Sequence, residues 1–405
     1  MDTRRNPFTP RRGAEPPVLA GRDEPLAAAL TACGRLLQGR SGRPVLLTGA
    51  RGMGKTSLLR ASAREASAHG FVVSEIGCPK GAREKALAAL IAPKIREAVE
   101  ALECSGRARH HCLSWLYGFE RAHQLRKGSG SSCSSCSSDS VEPVDDPLDV
   151  AVTGSLEHDL PELFEALGRA YQGAGRGWLL AVDDLHRLHP KDLAALLAAV
   201  HRVGQLELPV MFVSAGLPQV MRMTGDARSY AERLFRFCEL GPLDREAVRR
   251  AIVGPVEASG VTVSEEALEL LALETRGCPF FLQAWASAAL EAAREADTLT
   301  AADFEATRAE TLRALDRDFY AEALDGATAA ERELLEVMAG RMAESDSYTC
   351  SAADAATSLG KTEGELARQV TRMTKKGLIY RNAPGELAFS APLAGASILR
   401  QKTGR

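Results

Sequence analysis

Val45-Leu46-Leu47-Thr48-Gly49-Ala50-Arg51-Gly52-Met53-Gly54-Lys55-Thr56-Ser57 is the stretch on which the reading of this chain turns. Its three leading apolar residues predict a short buried strand, a glycine-rich turn follows at once, and a helical pattern then runs to about position 68. The spacing G-x-x-x-x-G-K-[ST] has a physical reason. Glycines let the backbone curl so that successive N–H groups converge on one point, and the helix that begins there adds the positive end of its dipole. Such a point holds a phosphate. Gly49, Ala50, Arg51, Gly52, Met53, Gly54, Lys55, Thr56 and Ser57 are therefore candidate nucleotide-binding residues. The Lys55 ammonium is placed to neutralise β- and γ-phosphates and the Thr56 hydroxyl to ligate Mg²⁺, so ATP and Mg²⁺ are the ligands expected.

Working outward, a second strand, Trp178-Leu179-Leu180-Ala181-Val182, ends in Asp183-Asp184. A carboxylate at the C-terminal edge of a parallel strand lies beside the phosphate loop and can hold Mg²⁺, a role that falls to Asp183. Asp184 is then placed to orient or deprotonate an attacking water. Val213-Ser214 is expected to end the next strand, with Ser214 able to sense a γ-phosphate. Strand signals at 45–47, 71–73, 178–182 and 210–214 alternate with helical patterns at 23–37, 85–102, 160–171 and 191–203. That alternation predicts an α/β fold, a parallel sheet covered on both faces.

At 405 residues the chain exceeds one average domain. Four parts follow from the pattern: an arm over 1–20, the phosphate-loop domain over 21–243, a helical lid over 244–324 and a C-terminal unit over 325–405. The arm is rich in proline and carries Arg4, Arg5, Arg11 and Arg12. Inside the second part, about 104–160 reads as a flexible insertion, because 128–140 is Ser/Gly-rich with no apolar residue except cysteine. Cys133 and Cys136 have zinc spacing, with His110, His111, Cys112 and His123 upstream, but the serine-rich run around the pair offers nothing to hold a tetrahedron. His186, His189 and His201 read as helix caps or surface residues.

The C-terminal unit predicts helices at 328–342, 351–359 and 363–376, then a hairpin around Pro384-Gly385, which is the order of a winged helix. Its third helix carries Arg368, Arg372, Lys375 and Lys376 on one broad arc, the arrangement of a helix that enters a DNA major groove. The other reading of that arc is a solvated face on a protein-docking unit. The formal charge of −3 requires any DNA contact to be such a local patch. Nine cysteines, an odd number mostly at isolated positions, argue against a disulfide framework. No window reaches the roughly 18 uninterrupted apolar residues of a membrane helix, so a cytoplasmic setting without membrane contact is expected.

Taken together, the phosphate loop, Asn6-Pro7-Phe8-Thr9-Pro10, Gly21-Arg22-Asp23, Ser214-Ala215-Gly216-Leu217-Pro218, Ser229-Tyr230-Ala231-Glu232-Arg233-Leu234-Phe235 and Gly277-Cys278-Pro279-Phe280-Phe281-Leu282-Gln283 resemble AAA+ ATPases of the origin-recognition-like clade, in its bacterial branch. The resemblance implies a P-loop NTPase sheet domain, a helical lid and a C-terminal winged helix. It also implies that Gly21 and Arg22 approach the adenine, that Pro279 contacts nucleotide, and that Arg233 reaches the γ-phosphate of a neighbouring subunit, with Arg228 and Arg236 as substitutes. A homo-oligomer formed with ATP, hydrolysis completed on assembly and duplex DNA as partner follow as expectations. Two departures point to slow turnover: Asp184 stands where the clade carries glutamate, and Phe280 stands where it carries a second sensor arginine. The alternative is a signalling or defence scaffold whose winged helix docks a protein; a small-molecule kinase is a distant third.

Overall fold

The computed structural model describes residues 6–11, 13–102, 106–125, 150–293 and 297–403. After the arm, α1 (Asp23–Leu37) leads to β1 (Val45–Thr48), the glycine turn and α2 (Lys55–Ala68), then β2 (Phe71–Gly77) and α3 (Ala86–Glu100). α4 (Gly106–Ala122) and α5 (Leu156–Gly173) precede β3 (Gly177–Asp183). α6 (Pro190–Gln205), β4 (Val210–Gly216), α7 (Gln219–Ala227), α8 (Ala231–Leu234) and β5 (Arg236–Glu239) follow. The five strands form one parallel sheet in the order β2-β3-β4-β1-β5.

The strands are apolar on both faces because helices cover both. Leu47, Leu179, Met211 and Val213 pack with Leu58 and Leu59 of α2, while Leu46, Leu180, Val182 and Phe212 pack with Leu160, Leu163 and Leu196 of α5 and α6. The first layer continues without a break into the rest of the chain.

That rest comprises α9 (Arg245–Glu257), β6 (Thr262–Val263), α10 (Glu265–Thr275), α11 (Pro279–Ala292), β7 (Thr298–Leu299), α12 (Ala301–Leu315), a π-helical turn at Asp316–Tyr320 and α13 (Ala321–Ala323). α14 (Ala329–Glu344), β8 (Cys350–Ser351), α15 (Ala352–Ser358), α16 (Glu363–Lys376), β9 (Ile379–Ala383), β10 (Glu386–Phe389) and α17 (Ala394–Thr403) close the chain. β9 and β10 are the expected hairpin, with β8 added antiparallel on the far edge of β10. α16 starts in a capping box between Thr362 and Glu365 and stops at Gly377, whose φ of 71° ends the helix in the left-handed region.

Several expectations need correction. Residues 106–125 and 150–160 of the expected insertion belong to the folded body: α4 presents Cys112, Leu116 and Phe119 at helical spacing to α3 and α5, and just past its end a buried pair, His123 Nε2 to Asp159 Oδ2 at 3.1 Å, ties the chain to α5. Its Arg- and His-rich outer face hid that stripe in the sequence. Cys133 and Cys136 lie outside the described residues, as do Arg4, Arg5 and Arg12 of the arm. The rest of the arm has no helix or strand but is tied down. Asn6 Nδ2 donates to the Ser287 carbonyl, the Ser287 hydroxyl and Glu291 at 3.2, 3.0 and 2.9 Å. Phe8 is buried, which contributes about 2 kcal/mol. β5 was not foreseen, since an edge strand of sequence Arg-Phe-Cys-Glu lacks an apolar run. Among the described residues no helix is long and apolar enough to cross a membrane.

Gly277 governs the crossing from sheet to lid. Its φ is +70°, its carbonyl accepts from the Leu243 N–H at 2.8 Å, and a Cβ there would stand 2.3 Å from the Leu243 carbonyl oxygen. Gly277→Ala should therefore lower the thermal midpoint clearly, by a strain of about 1–3 kcal/mol. Gly225→Ala, in a helix with open space around it, should not. Equal midpoints for the two variants would disprove the crossing constraint.

Candidate functional site: a phosphate cavity under the lid

A cavity of about 600 Å³ opens where the glycine turn, the arm, Leu243 and the lid meet. Gly52 and Gly54 adopt φ of +78° and +80°, conformations that only glycine enters freely, and these curl the turn into α2. A Cβ on Gly52 would press on Cys278 Sγ, Phe280 and Phe319 at 3.1, 3.3 and 3.4 Å, so the lid sits directly on the loop. Phe280 stacks on Phe319 with centroids 4.9 Å apart, and its N–H donates to the Gly52 carbonyl at 3.2 Å.

Two side chains meet where β3 ends and α2 begins. The Thr56 hydroxyl donates to Asp183 Oδ2 at 2.7 Å, and the Asp184 N–H donates to Asp183 Oδ1 at 2.8 Å. Both carboxylate oxygens are thereby oriented. A hydroxyl and a carboxylate side by side are hard oxygen donors of the kind Mg²⁺ takes when phosphates supply further oxygens. Among the described residues no cluster of three or more His, Cys, Asp or Glu is placed to hold a metal ion.

Lys55 is buried, and its ammonium donates to the carbonyls of Gly49 and Ala50 at 2.8 and 2.7 Å. Burial pushes its pKa down to about 8, against the pull of Asp183 and Asp184, with Arg51 adding repulsion. Asp184 adopts φ of 55°, and its Oδ2 lies 2.9 Å from Arg187 Nη1, which also donates to the Cys78 carbonyl at 3.2 Å. Arg187 was not singled out from sequence, where only its spacing from Asp184 could have drawn notice.

Other candidates divide. Pro279 is the first residue of α11 and lines the cavity, as do Arg51, Gly52, Gly54, Lys55, Thr56, Ser57, Asp183 and Asp184. Gly49, Ala50 and Met53 lie in the turn without lining it. Arg22 lines the cavity too, but its buried guanidinium is tied to the carbonyls of Gly241 at 2.6 Å and of Met53 and Gly21 at 3.2 Å, a strut under the loop. Gly21 does not line it; at φ +65° it packs against Ala247 and Leu243. Ser214 is also displaced. β4 runs two residues past it to Gly216, and Ser214 is wholly buried opposite Val182 with its hydroxyl unpartnered among the described residues, so it does not line the cavity.

Arg233, on the short α8, is exposed and forms no ion pair among the described residues, whereas Arg228 is paired with Glu157 and Arg236 with Glu24. In α16, Arg368, Arg372 and Lys375 are exposed. Lys376 is not available in the same way: its ammonium donates to buried Glu331 at 2.7 Å and to the Gly326 carbonyl at 2.9 Å. His189 caps α6, His201 stacks on Tyr230, and His186 is buried, accepting from the Leu217 N–H at 3.3 Å instead of lying at the surface.

Residues 18–213 match the AAA ATPase domain family, and residues 317–396 match a domain of unknown function (DUF8462). No curated protein matches the chain. Among solved structures, the Walker-type ATPase PABY2304 of Pyrococcus abyssi is similar over 94% of this chain and 96% of its own, at 15% identity and a TM-score of 0.59. That likeness shows a shared fold. Cdc6p from Pyrobaculum aerophilum (14% identity, 98% of each chain, TM-score 0.46) is also similar. So is the Aeropyrum pernix ORC1 protein in complex with DNA (16%, 98% of this chain and 96% of that one, 0.46).

Lys55 yields a signed expectation. Its ordinary value is 10.5 and its folded value about 8, so between those limits the unfolded chain holds a proton that the folded chain lacks. Stability gains from this group as pH rises through that window. Phosphate binding has the opposite sign, because it needs the ammonium. Affinity for ADP, measured by fluorescent-nucleotide titration, should be flat below the folded value and then fall by up to about tenfold per pH unit. A constant affinity from neutral pH up to the ordinary lysine value would remove Lys55 from the phosphate site.

Proposed function

We propose that the chain is an ATP-dependent switch: it binds ATP·Mg²⁺ in the cavity, hydrolyses it slowly, assembles with further copies through Arg233 and engages duplex DNA through α16. The observation that carries the reading is the Thr56–Asp183 pair at 2.7 Å beside the Lys55 ammonium. The match of residues 18–213 to the AAA ATPase domain supports nucleotide binding and ATPase chemistry in general.

Each role follows from the chemistry of its group. Amides of the turn and the Lys55 ammonium hold the phosphates, and Thr56 with Asp183 would hold Mg²⁺, which when bound neutralises phosphate charge. Asp184 is the group placed to orient the attacking water. Its shorter side chain and its pairing with Arg187 favour slow turnover. Phe280 offers no positive charge from the lid, so charge on the transferring phosphoryl group would be balanced by Arg233 of a neighbouring copy. Arg233 suits that task better than Arg228 or Arg236, both already paired.

For the C-terminal unit, three helices, the β9–β10 hairpin and the exposed Arg368, Arg372 and Lys375 support a winged helix that grips DNA phosphates and bases. A second reading, a scaffold whose C-terminal unit docks a protein, draws support from Lys376, whose charge is used inside the unit, and from Glu363 and Glu365 on the first turn of α16.

Three measurements test this. Asp184→Glu should raise ATP turnover about tenfold or more, since general-base positioning is worth that order, and no rise would refute the reach argument. Arg233→Ala should abolish any stimulation of turnover by raised protein concentration while leaving nucleotide affinity intact; stimulation that persists would refute the assembly role. Duplex binding should weaken with added salt, and a triple alanine variant at Arg368, Arg372 and Lys375 should flatten that dependence by about three units of log–log slope. An unchanged slope would favour the protein-docking reading.

A further inference from the structure

The phosphate loop touches the C-terminal unit directly, and one residue makes the contact twice. The Arg51 N–H donates to the Ser390 carbonyl at 2.7 Å. The Arg51 guanidinium reaches the Gly377 carbonyl, the cap of α16, at 3.5 Å. Beside it, Gln219 Nε2 donates to the Thr374 carbonyl at 3.3 Å, and Gly377 lies so close that a Cβ there would stand 3.0 Å from Leu217 and 3.3 Å from Arg51 Nη2. The terminal carbonyls of α16 thus face a loop that carries two cations, Arg51 and Lys55, close enough for Arg51 to depress the ammonium.

We propose that Arg51 reads the γ-phosphate: its guanidinium exchanges between the C-terminal end of α16 and the terminal phosphate of a nucleoside triphosphate, so that triphosphate, unlike diphosphate, loosens the C-terminal unit from the loop. The inference rests on the nucleotide-binding reading above and adds the device that transmits occupancy. Arg51 lines the cavity, so the same side chain borders both sites. Of the contacts that join Arg51 to the C-terminal unit, the two named are unequal. The main-chain bond is short and acts as a pivot, whereas the guanidinium contact is at the long limit for a hydrogen bond and is the one that yields. A helix C-terminus offers about half a negative charge, while a terminal phosphate offers more charge and stronger, charge-assisted acceptors. Among the described residues, those of the lid that line the cavity include Phe280, Asp318 and Glu322 but no lysine or arginine, so no lid cation competes with Arg51 there.

Coupling between two sites is reciprocal. What triphosphate does to docking, docking does to triphosphate affinity.

The test uses the full chain with ADP and the slowly hydrolysed triphosphate ATPγS, reading affinity by calorimetry and docking by amide hydrogen exchange over residues 374–392. In the wild type, ATPγS should speed exchange in that segment several-fold over ADP. Arg51→Ala should cut the ATPγS-to-ADP affinity ratio about tenfold, the worth of one charge-assisted contact, and make exchange the same with either nucleotide. Arg51→Lys should restore part of the ratio, which a purely structural role would not. Gln219→Ala weakens docking without touching the loop and should raise ATPγS affinity about threefold through the linkage. A ratio unaltered by Arg51→Ala, or wild-type exchange identical with the two nucleotides, overturns the inference while leaving nucleotide binding standing. A wild type that takes up neither nucleotide overturns both.

Discussion

One hydrogen bond, from the Thr56 hydroxyl to the Asp183 carboxylate, joins parts of the chain that are 127 residues apart, and most of the architecture can be read as what that bond requires. Asp183 ends β3 and Thr56 sits in the first turn of the helix that follows β1, but β3 and β1 are not neighbours. β4 lies between them, so the two strand ends are about 9–10 Å apart. The glycine turn must therefore carry the chain back over the edge of β4 before the helix starts. The left-handed glycines and the abrupt entry into α2 are the backbone solution to that distance, and the opposed helical layers hold the strand order that defines it.

The second theme is positive charge kept dry. Lys55, Arg22 and Arg51 crowd the loop, and main-chain oxygens answer each of them: Gly49 and Ala50 for Lys55, Gly21, Met53 and Gly241 for Arg22, Gly377 for Arg51. Burial nevertheless outweighs the pull of Asp183 and Asp184, and Lys55 remains depressed. An arrangement of this kind is poised for an anion with fixed geometry. Its cations are already ordered, so little side-chain entropy is lost when a stronger acceptor arrives.

How much of this could be read from residues alone depended on whether the signal was local. The turn at 49–56 and the aspartates after Val182 announce themselves, because backbone curvature and strand ends impose narrow residue choices. The alternation of strands and helices was equally plain, and α1, β1, α2 and α16 stand where the pattern put them. Long-range facts were not legible. Ser214 looked like a strand end because Ala215 and Gly216 carry too little apolar signal to extend the run. β5 has no apolar run and is specified by its pairing with β1. Nothing in the spelling of Lys376 reveals that Glu331 claims it, and the contact of Arg51 with the α16 terminus exists only after more than 300 residues have folded round.

The arm has a mechanical meaning that its plain composition conceals. At one end Asn6 grips α11 of the lid; at the other, Ser57 of α2 donates to the Ala14 carbonyl at 3.0 Å and Arg60 donates to the carbonyl of Gly13. Between these anchors Thr9, Pro10 and Arg11 form a wall of the cavity. Residues 6–11, with Gly13 and Ala14, thus make contacts to both lid and sheet domain. A hinge motion that parts those two bodies would have to extend this stretch or break one of its anchors, so the described arm residues help to set the aperture of the cavity alongside the helices that roof it.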